Sequence, residues 1–271
     1  MPDTNLPAEA SATTRSNART TAAVSSAKTD PRKLHFVLQG KGGVGKTFVS
    51  LLLAQAIAAK GEPLICVDTD PVNASFSSLS TMDPERVSIF DGKKVDTRAL
   101  DQFIERLLGT DAHFVVDNGA ASFVPMSQYL LENDVVGMML DEGRQPVLHT
   151  VITGGPAMLD TVKGLTALVE DFPPSARLVV WLNEFFGPIV NAQGKSFQEL
   201  PVYTASKERI FTLVHLPWVS EEVSTDLRDM IGRRLTFEQA LARDNTSILR
   251  VQKSRLFKYR QRIWPAIEGV I

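Results

Sequence analysis

The chain has 271 residues, 44% of them hydrophobic, and a formal net charge of −2, which suits a folded protein with a sizeable core, built as one large domain or two small ones. A charge so near neutral gives no overall electrostatic argument for nucleic acid or a membrane surface, and no apolar run is long enough to span a bilayer, so membrane contact is not expected. Cys66 is the only cysteine; it excludes an intrachain disulfide, lies in an apolar run as a core residue rather than a nucleophile, and fits a cytoplasmic, reducing compartment.

Residues 1–32 are rich in Ala, Ser and Thr, have no aromatic residue and lack the apolar stretch of a signal peptide. They are expected to form a disordered polar tail, because they cannot bury enough apolar surface to offset the entropy of ordering. From Leu34 the chain alternates. Apolar runs at Leu34–Gln39, Leu64–Asp68, Phe114–Asp117, Val135–Leu140, Leu178–Leu182 and Ile210–Leu216 read as strands. Helical runs fall between them at 47–60, 97–108, 125–132, 155–170 and 205–209. Val87–Phe90 reads as a short edge strand, and Phe185–Pro201 as a long loop that could cover a ligand. This alternation predicts an α/β fold over 33–245: a mostly parallel sheet with helices on both faces and ligands beyond the carboxyl ends of the strands.

The first strand runs into Gly40-Lys41-Gly42-Gly43-Val44-Gly45-Lys46-Thr47, which fits G-x-x-x-x-G-K-[ST], the phosphate-binding loop of nucleoside triphosphatases. Glycines let such a loop turn its N–H groups inward, and the helix that opens at its end adds free N–H groups and the positive end of its dipole. Lys46 would reach the β- and γ-phosphates and Thr47 would bind Mg²⁺. Phe48, just past the loop, is counted with the nucleotide-binding set.

The next strand ends in Asp68-Thr69-Asp70-Pro71, where carboxylates would face the phosphate loop. His113–Asp117 is an apolar strand ending in an aspartate, so Asp117 would hold Mg²⁺ through a water. Gly119 after it makes 117–123 a candidate switch. Val179–Asn183 ends in an asparagine that is either a turn residue or a base contact. No N-K-x-D pattern follows any strand, which favours ATP over GTP. His35, His113, His149 and His215 share no metal-ligand spacing and read as structural.

After Leu216 the chain turns helical at 220–232, 236–243 and 246–264, the last stopping before Pro265. Residues 246–271 concentrate Arg250, Lys253, Arg255, Lys258, Arg260 and Arg262 around a stripe of Leu249, Leu256 and Ile263. This basic helix either docks its stripe on the domain and leaves a solvated charged face, or meets DNA phosphate, or meets an acidic membrane or protein surface.

The string Lys41–Thr47, with its second lysine, resembles the deviant phosphate loop of the ParA/MinD family of P-loop ATPases. In that family two subunits sandwich two ATP molecules and the extra lysine reaches phosphate across the interface. The resemblance implies a homodimer with ATP, a trans contact from Lys41, a water-orienting role for Asp70 and a place near Mg²⁺ for Asp68. It also implies adenine recognition by Asn183 and a place near the base for Pro217. Two stretches depart from the family pattern: Asp70-Pro71-Val72-Asn73 in place of D-P-Q-x-N, and Asp117-Asn118-Gly119-Ala120 in place of D-x-P-P.

Gln39–Lys46, Asp68–Ala74, Asp117–Ala120, Ser122–Pro125, His149–Val151, Thr153–Gly155 and Val180–Asn183 further look like the TraL proteins of plasmid conjugal-transfer regions, a likeness running from about Leu34 to about Leu256. That implies an ATP-hydrolysing dimerisation switch accessory to conjugal DNA transfer, with DNA or a protein of the transfer apparatus as partner. Two alternatives stand beside it: a metabolic ATP-dependent ligase or kinase on the same scaffold, and a nucleotide-binding scaffold with little hydrolysis.

Overall fold

The computed structural model describes residues 30–271 apart from Ser80 and Lys93. The tail expected over 1–32 lies almost wholly outside the described residues. Arg32, however, belongs to the folded unit Pro31–Ile271, where it pairs with Glu62 and Asp111.

In chain order the elements are β1 (Lys33–Val37), α1 (Lys46–Ala59), β2 (Leu64–Asp68), α2 (Ser75–Leu79) and β3 (Glu85–Arg86). Then come β4 (Phe90–Asp91), β5 (Lys94–Val95), α3 (Thr97–Gly109), β6 (His113–Asp117), α4 (Phe123–Glu132) and α5 (Val135–Asp141). The rest are β7 (Gln145–Thr153), α6 (Met158–Asp171), β8 (Arg177–Asn183), α7 (Pro201–Ser206), β9 (Ile210–Leu216), α8 (Glu221–Gly232), α9 (Phe237–Leu241) and α10 (Arg250–Glu268).

Seven strands form one sheet in the order β3-β2-β6-β1-β7-β8-β9, and every neighbouring pair is parallel. β4 and β5 pair antiparallel beside it. The order reverses at β1: the chain goes outward to β2 and β3, returns through β6, and fills the other side with β7, β8 and β9. A crevice opens at such a reversal, and the Gly40–Thr47 loop leaves β1 there.

Strand residues alternate between two cores. Leu34, Phe36, Val116, Ile152 and Val180 face α3, α4, α5 and α6. Val37, Val115, Val151, Val179 and Trp181 face α1, α8, α9 and α10. Both faces are covered, so strands such as His113–Asp117 are buried along their whole length.

Four expectations of element placement are corrected. Val135–Leu140 is helix α5, not a strand: Val135, Val136 and Met139 are buried at helical spacing while Met138 is exposed. The strand on that side is β7, whose run Val147–Thr153 is rich in β-branched residues but is preceded by Pro146 and interrupted by His149. The helix expected at 205–209 lies at Pro201–Ser206, started by Pro201 at its first position. The last helix begins at Arg250, where the Gln252 side chain accepts the Leu249 N–H at 2.9 Å, and it runs through Pro265. A helical proline frees the carbonyl four residues back. Here that carbonyl belongs to exposed Gln261, while Ile267, Val270 and Ile271 beyond it are buried.

All four histidines lie in strands, and two of them form a buried chain. Trp181 Nε1, which can only donate, hydrogen-bonds His149 Nδ1 at 3.0 Å, and His149 Nε2 lies 2.9 Å from His35 Nδ1. The indole therefore fixes His149 with its proton on Nε2, which donates to His35 and leaves His35 protonated on Nε2. That last N–H is buried without a partner. Burial holds His149 down to about 3 and His35 well below the usual histidine value. Each base is neutral when folded and protonates readily when unfolded. The stability it contributes is whole above about 6.5 and is lost as pH falls toward 3. Urea unfolding is expected to give an unfolding free energy that declines from pH 6.5 to 5 by up to about 1.4 kcal/mol per pH unit for each histidine. The His35 and His149 ring resonances should stay unshifted over that range, and a ring titrating near 6 would contradict the assignment.

Candidate functional site

The loop between β1 and α1 is shaped by its glycines. Gly45 stands at φ 103°, in the left-handed region, and a Cβ there would come 2.7 Å from the Asn183 amide nitrogen. Only glycine fits on both counts. Asn183 Nδ2 donates to the Val44 carbonyl at 2.9 Å, and its Oδ1 accepts the Phe185 N–H at 3.2 Å. The end of β8 thus clamps the loop from outside. On the other flank Gly40 packs against the Phe123 ring.

Lys46 is buried, and its Nζ donates to the Lys41 carbonyl at 2.9 Å. Burial lowers its pKa, and Asp117 and Asp70 pull it back. Thr47 Oγ1 donates to Asp117 Oδ2 at 2.7 Å and Ser50 Oγ donates to Asp117 Oδ1 at 2.8 Å. Asp117 is only 3% exposed. Burial pushes its carboxyl up to about 6 against the opposing effect of the two hydroxyls, and neighbouring Asp68 adds to the rise.

Lys46, Thr47 and Asp117 line a cavity of about 600 Å³ with Gly42, Gly43, Gly45, Asp70, Asn73 and Asn118. Asp70 accepts the Val72 and Asn73 N–H groups on Oδ1, at 2.9 and 3.0 Å, and its carboxylate lies against Gly119, where a Cβ would come 2.5 Å from Cγ. Asp68 is placed differently. Its oxygens accept the Asp70 and Ser77 N–H groups at 3.0 and 2.9 Å, and it lines a neighbouring cavity rather than this one. It organises the 68–77 loop.

A second cavity of about 230 Å³ lies on the far side of the loop and shares Gly43 and Gly45 with the first. Phe48, Asn183 and Pro217 line it, joined by Phe185, Val219, Leu227 and Tyr259. Those last four were not foreseen. Phe185 opens the 185–201 segment expected to cover a ligand; Val219, Leu227 and Tyr259 gave no sequence signal, because α8 and α10 reach the site only through tertiary packing. Lys41 lines neither cavity: its Nζ lies 2.8 Å from Asp160 Oδ2 at the start of α6.

The two cavities, which share Gly43 and Gly45 as wall, could take a nucleotide laid across the loop, with its base in the apolar pocket and its phosphates among Lys46, Thr47 and the loop N–H groups. Among the described residues no group of three or more His, Cys, Asp or Glu could hold a metal alone. Thr47 and Asp117 suit a hard divalent cation whose shell is completed by phosphate oxygens and water.

A model of the CobQ/CobB/MinD/ParA nucleotide-binding domain matches residues 35–234. Over 227 residues the chain is 43% identical to a Protein TraL of Escherichia coli, covering 83% of this chain and 94% of the relative. A second Protein TraL of that organism is 42% identical over the same length. The chain belongs to the CobQ/CobB/MinD/ParA nucleotide-binding family, in its TraL branch. The fold also resembles that of a ParA family ATPase from Chlorobium tepidum TLS, at a TM-score of 0.50 and 13% identity, covering 85% of this chain and 98% of that one. Nucleotide binding is therefore a property of the family, and this chain's loop, Lys46 and Asp117 are arranged for it.

Asp117→Asn removes a charge that burial opposes: a carboxyl whose folded pKa is raised costs stability above that pKa. The shift from 3.8 to about 6 corresponds to at most about 3 kcal/mol. Scanning fluorimetry at pH 7.5 is expected to show the ligand-free variant melting no lower than the parent, with the increment from ATP and Mg²⁺ lost. Lys46→Ala should lose that increment as well. A full increment in either variant would place the phosphates elsewhere.

Proposed function

We propose that the protein is an ATP-binding and hydrolysing switch that dimerises with nucleotide, in the cytoplasm, as an accessory to plasmid conjugal DNA transfer. The observation that carries the reading is the pair of cavities that share Gly43 and Gly45 as wall, with Lys46, Thr47 and Asp117 on one side and an apolar pocket on the other. The transfer role rests on the likeness to the TraL proteins. Among the described residues no helix is long and apolar enough to cross a membrane.

Each group has a distinct task in such a cycle. Lys46 gives up the Lys41 carbonyl and sets its charge at the β- and γ-phosphates. Thr47 and Asp117 would hold Mg²⁺, which would supply neutralisation of phosphate charge. Asp70 has one oxygen tied to backbone N–H groups, which fixes the carboxylate and leaves Oδ2 to hold a water in line. Positioning of this kind supplies most of what phosphoryl transfer needs from a protein.

Two features support a second copy over the nucleotide face. Val72, Val124, Leu159, Phe186 and Trp218 are all exposed, and all follow carboxyl ends of sheet strands. The Lys41 side chain is half-exposed and, among the described residues, is tied by the Asp160 ion pair alone. An exposed pair is worth about 0.2–1 kcal/mol, so a phosphate from a facing subunit could draw the lysine away at little cost.

One observation favours the ligase or kinase reading. A cavity of about 440 Å³, lined by Arg86, Ser88 and Phe90, meets the phosphate cavity at Asp70 and has room for a small co-substrate. Product analysis separates the two: free phosphate from ATP and water supports the switch, and ATP consumed one-for-one with a metabolite supports the enzyme.

Asp70→Ala is expected to bind ATP with affinity within a few-fold of the parent and to lose turnover by about 10²-fold or more. Unchanged turnover would move the water-positioning role elsewhere. In that same background, where ATP persists, sedimentation should show a dimer with ATP and a monomer with ADP. Adding Lys41→Ala should abolish the dimer. A dimer indifferent to nucleotide or to Lys41 would remove the trans contact.

A further inference from the structure

A third site lies away from the nucleotide, where α1, α9 and α10 meet. A small cavity of about 70 Å³ is lined by Gln55, Ala58, Ala59, Met82, Thr236, Glu238, Arg260 and Trp264, with Phe237 at its back. Two of its polar side chains have donors without acceptors. The Arg260 guanidinium lies over the Trp264 ring, 4.4 Å from its centroid, and its Nε is buried with no hydrogen-bond partner. Among the described residues it takes part in no ion pair or hydrogen bond; Asp226 takes Arg255 instead. Gln55 is 8% exposed, and its orientation is settled by its neighbour. The Phe237 N–H can only donate, so the Gln55 atom 2.8 Å from it is the oxygen. The amide nitrogen is left on the other branch, with no acceptor among the described residues.

A buried donor without an acceptor costs free energy, so the Arg260 Nε–H, with the uncommitted Gln55 amide on the same wall, calls for an acceptor group. We infer that Arg260 and Gln55 form a binding site for a carboxylate group carried on a short apolar stem. A guanidinium is itself planar, and with its carbon 4.4 Å from the indole centroid it keeps an edge of N–H groups that can grip two oxygens of a carboxylate. Ala58, Ala59 and Met82 suit the stem. Arg260 is the only cation lining the cavity, and Glu238 lines it too, so a singly charged planar anion is favoured over a phosphate dianion. The volume excludes a nucleotide and admits the end of an acidic side chain or a small free acid. A group seated there would touch the helix that begins at Lys46, roughly 14 Å along it at 1.5 Å per residue.

The full-length chain, labelled with ¹⁵N, would be titrated with acetate, with N-acetyl-glutamate amide as a mimic of an acidic side chain, and with dimethyl phosphate. The Arg260 Nε–H and Gln55 side-chain resonances are expected to shift saturably with a carboxylate, with Kd of about 1–10 mM or tighter. Response to acetate points to a free acid, and response only to the glutamate derivative points to a partner's side chain; either supports the site. Gln55→Glu keeps the acceptor for Phe237 and replaces the amide donor with a negative charge. It should weaken binding by at least about tenfold. Arg260→Lys, which keeps the charge and loses the planar edge, should do the same. No saturable shift in the parent protein, equal affinity in both variants, or preference for dimethyl phosphate would overturn the inference.

Discussion

The structure depends on one buried carboxylate. Asp117 ends β6 in a place sealed from solvent, and its two oxygens take the hydroxyls of Thr47 and Ser50 from the first turns of α1. A charge so placed is costly unless its oxygens are satisfied. Those hydroxyls can meet it only if α1 starts directly above the β1–β6 pair. The loop between β1 and α1 then has one course open to it, around the carboxyl edge of the sheet. Asn183 closes that course from β8 by taking the Val44 carbonyl. Two strands on opposite sides of β1 thus hold one loop, and Lys46 projects from it into the cavity that Asp70 faces from β2.

The nucleotide half of this arrangement was legible in the sequence because it is local. Gly40–Thr47, Asp70 and Asp117 each follow an apolar run, and the parallel order places such strand ends together. What sequence alone missed was set by distant packing. Val135–Leu140 is apolar enough for a strand, but its buried set, Val135, Val136 and Met139, suits a helix over α4. The true neighbour of β1 is β7, where His149 reads as polar until Trp181 and His35 are seen to satisfy it. Asp68, which the family resemblance sets near Mg²⁺, has one backbone N–H of its own loop on each carboxylate oxygen, a contact that only the folded loop supplies.

Packing also separates the roles of the last helix. α10 buries Leu256, Tyr259, Ile263 and Ile267 against α1, α8, α9 and β9, while Leu249, part of the stripe expected from spacing, is 68% exposed. Its basic residues then fall into two groups. Arg255 is bound to buried Asp226, Lys253 donates to the Ala242 and Asn245 carbonyls, and Arg260 lies on Trp264. Arg255 and Lys253 tie the helix to its surroundings, and Arg260 packs on the helix's own next turn. Arg250, Lys258 and Arg262 face solvent. A count of charges along the helix therefore overstates the cationic surface about twofold.

The same helix reaches into the nucleotide-binding region. Tyr259 lines the apolar cavity from α10, and Leu227 and Val219 line it from α8 and the segment before it. The apolar cavity is thus walled by C-terminal elements on one side and by the phosphate loop and Phe48 on the other. A base in that pocket would touch α8 and α10, while the phosphates touch α1 and the loops after β2 and β6. One bound nucleotide would join two layers on the same sheet face that otherwise meet only through their own packing. Its differential affinity for their relative placement is what could drive a change in shape. The exposed residues around the cavities, Phe185, Phe186 and Trp218 above all, sit where that change would be read by whatever covers the face.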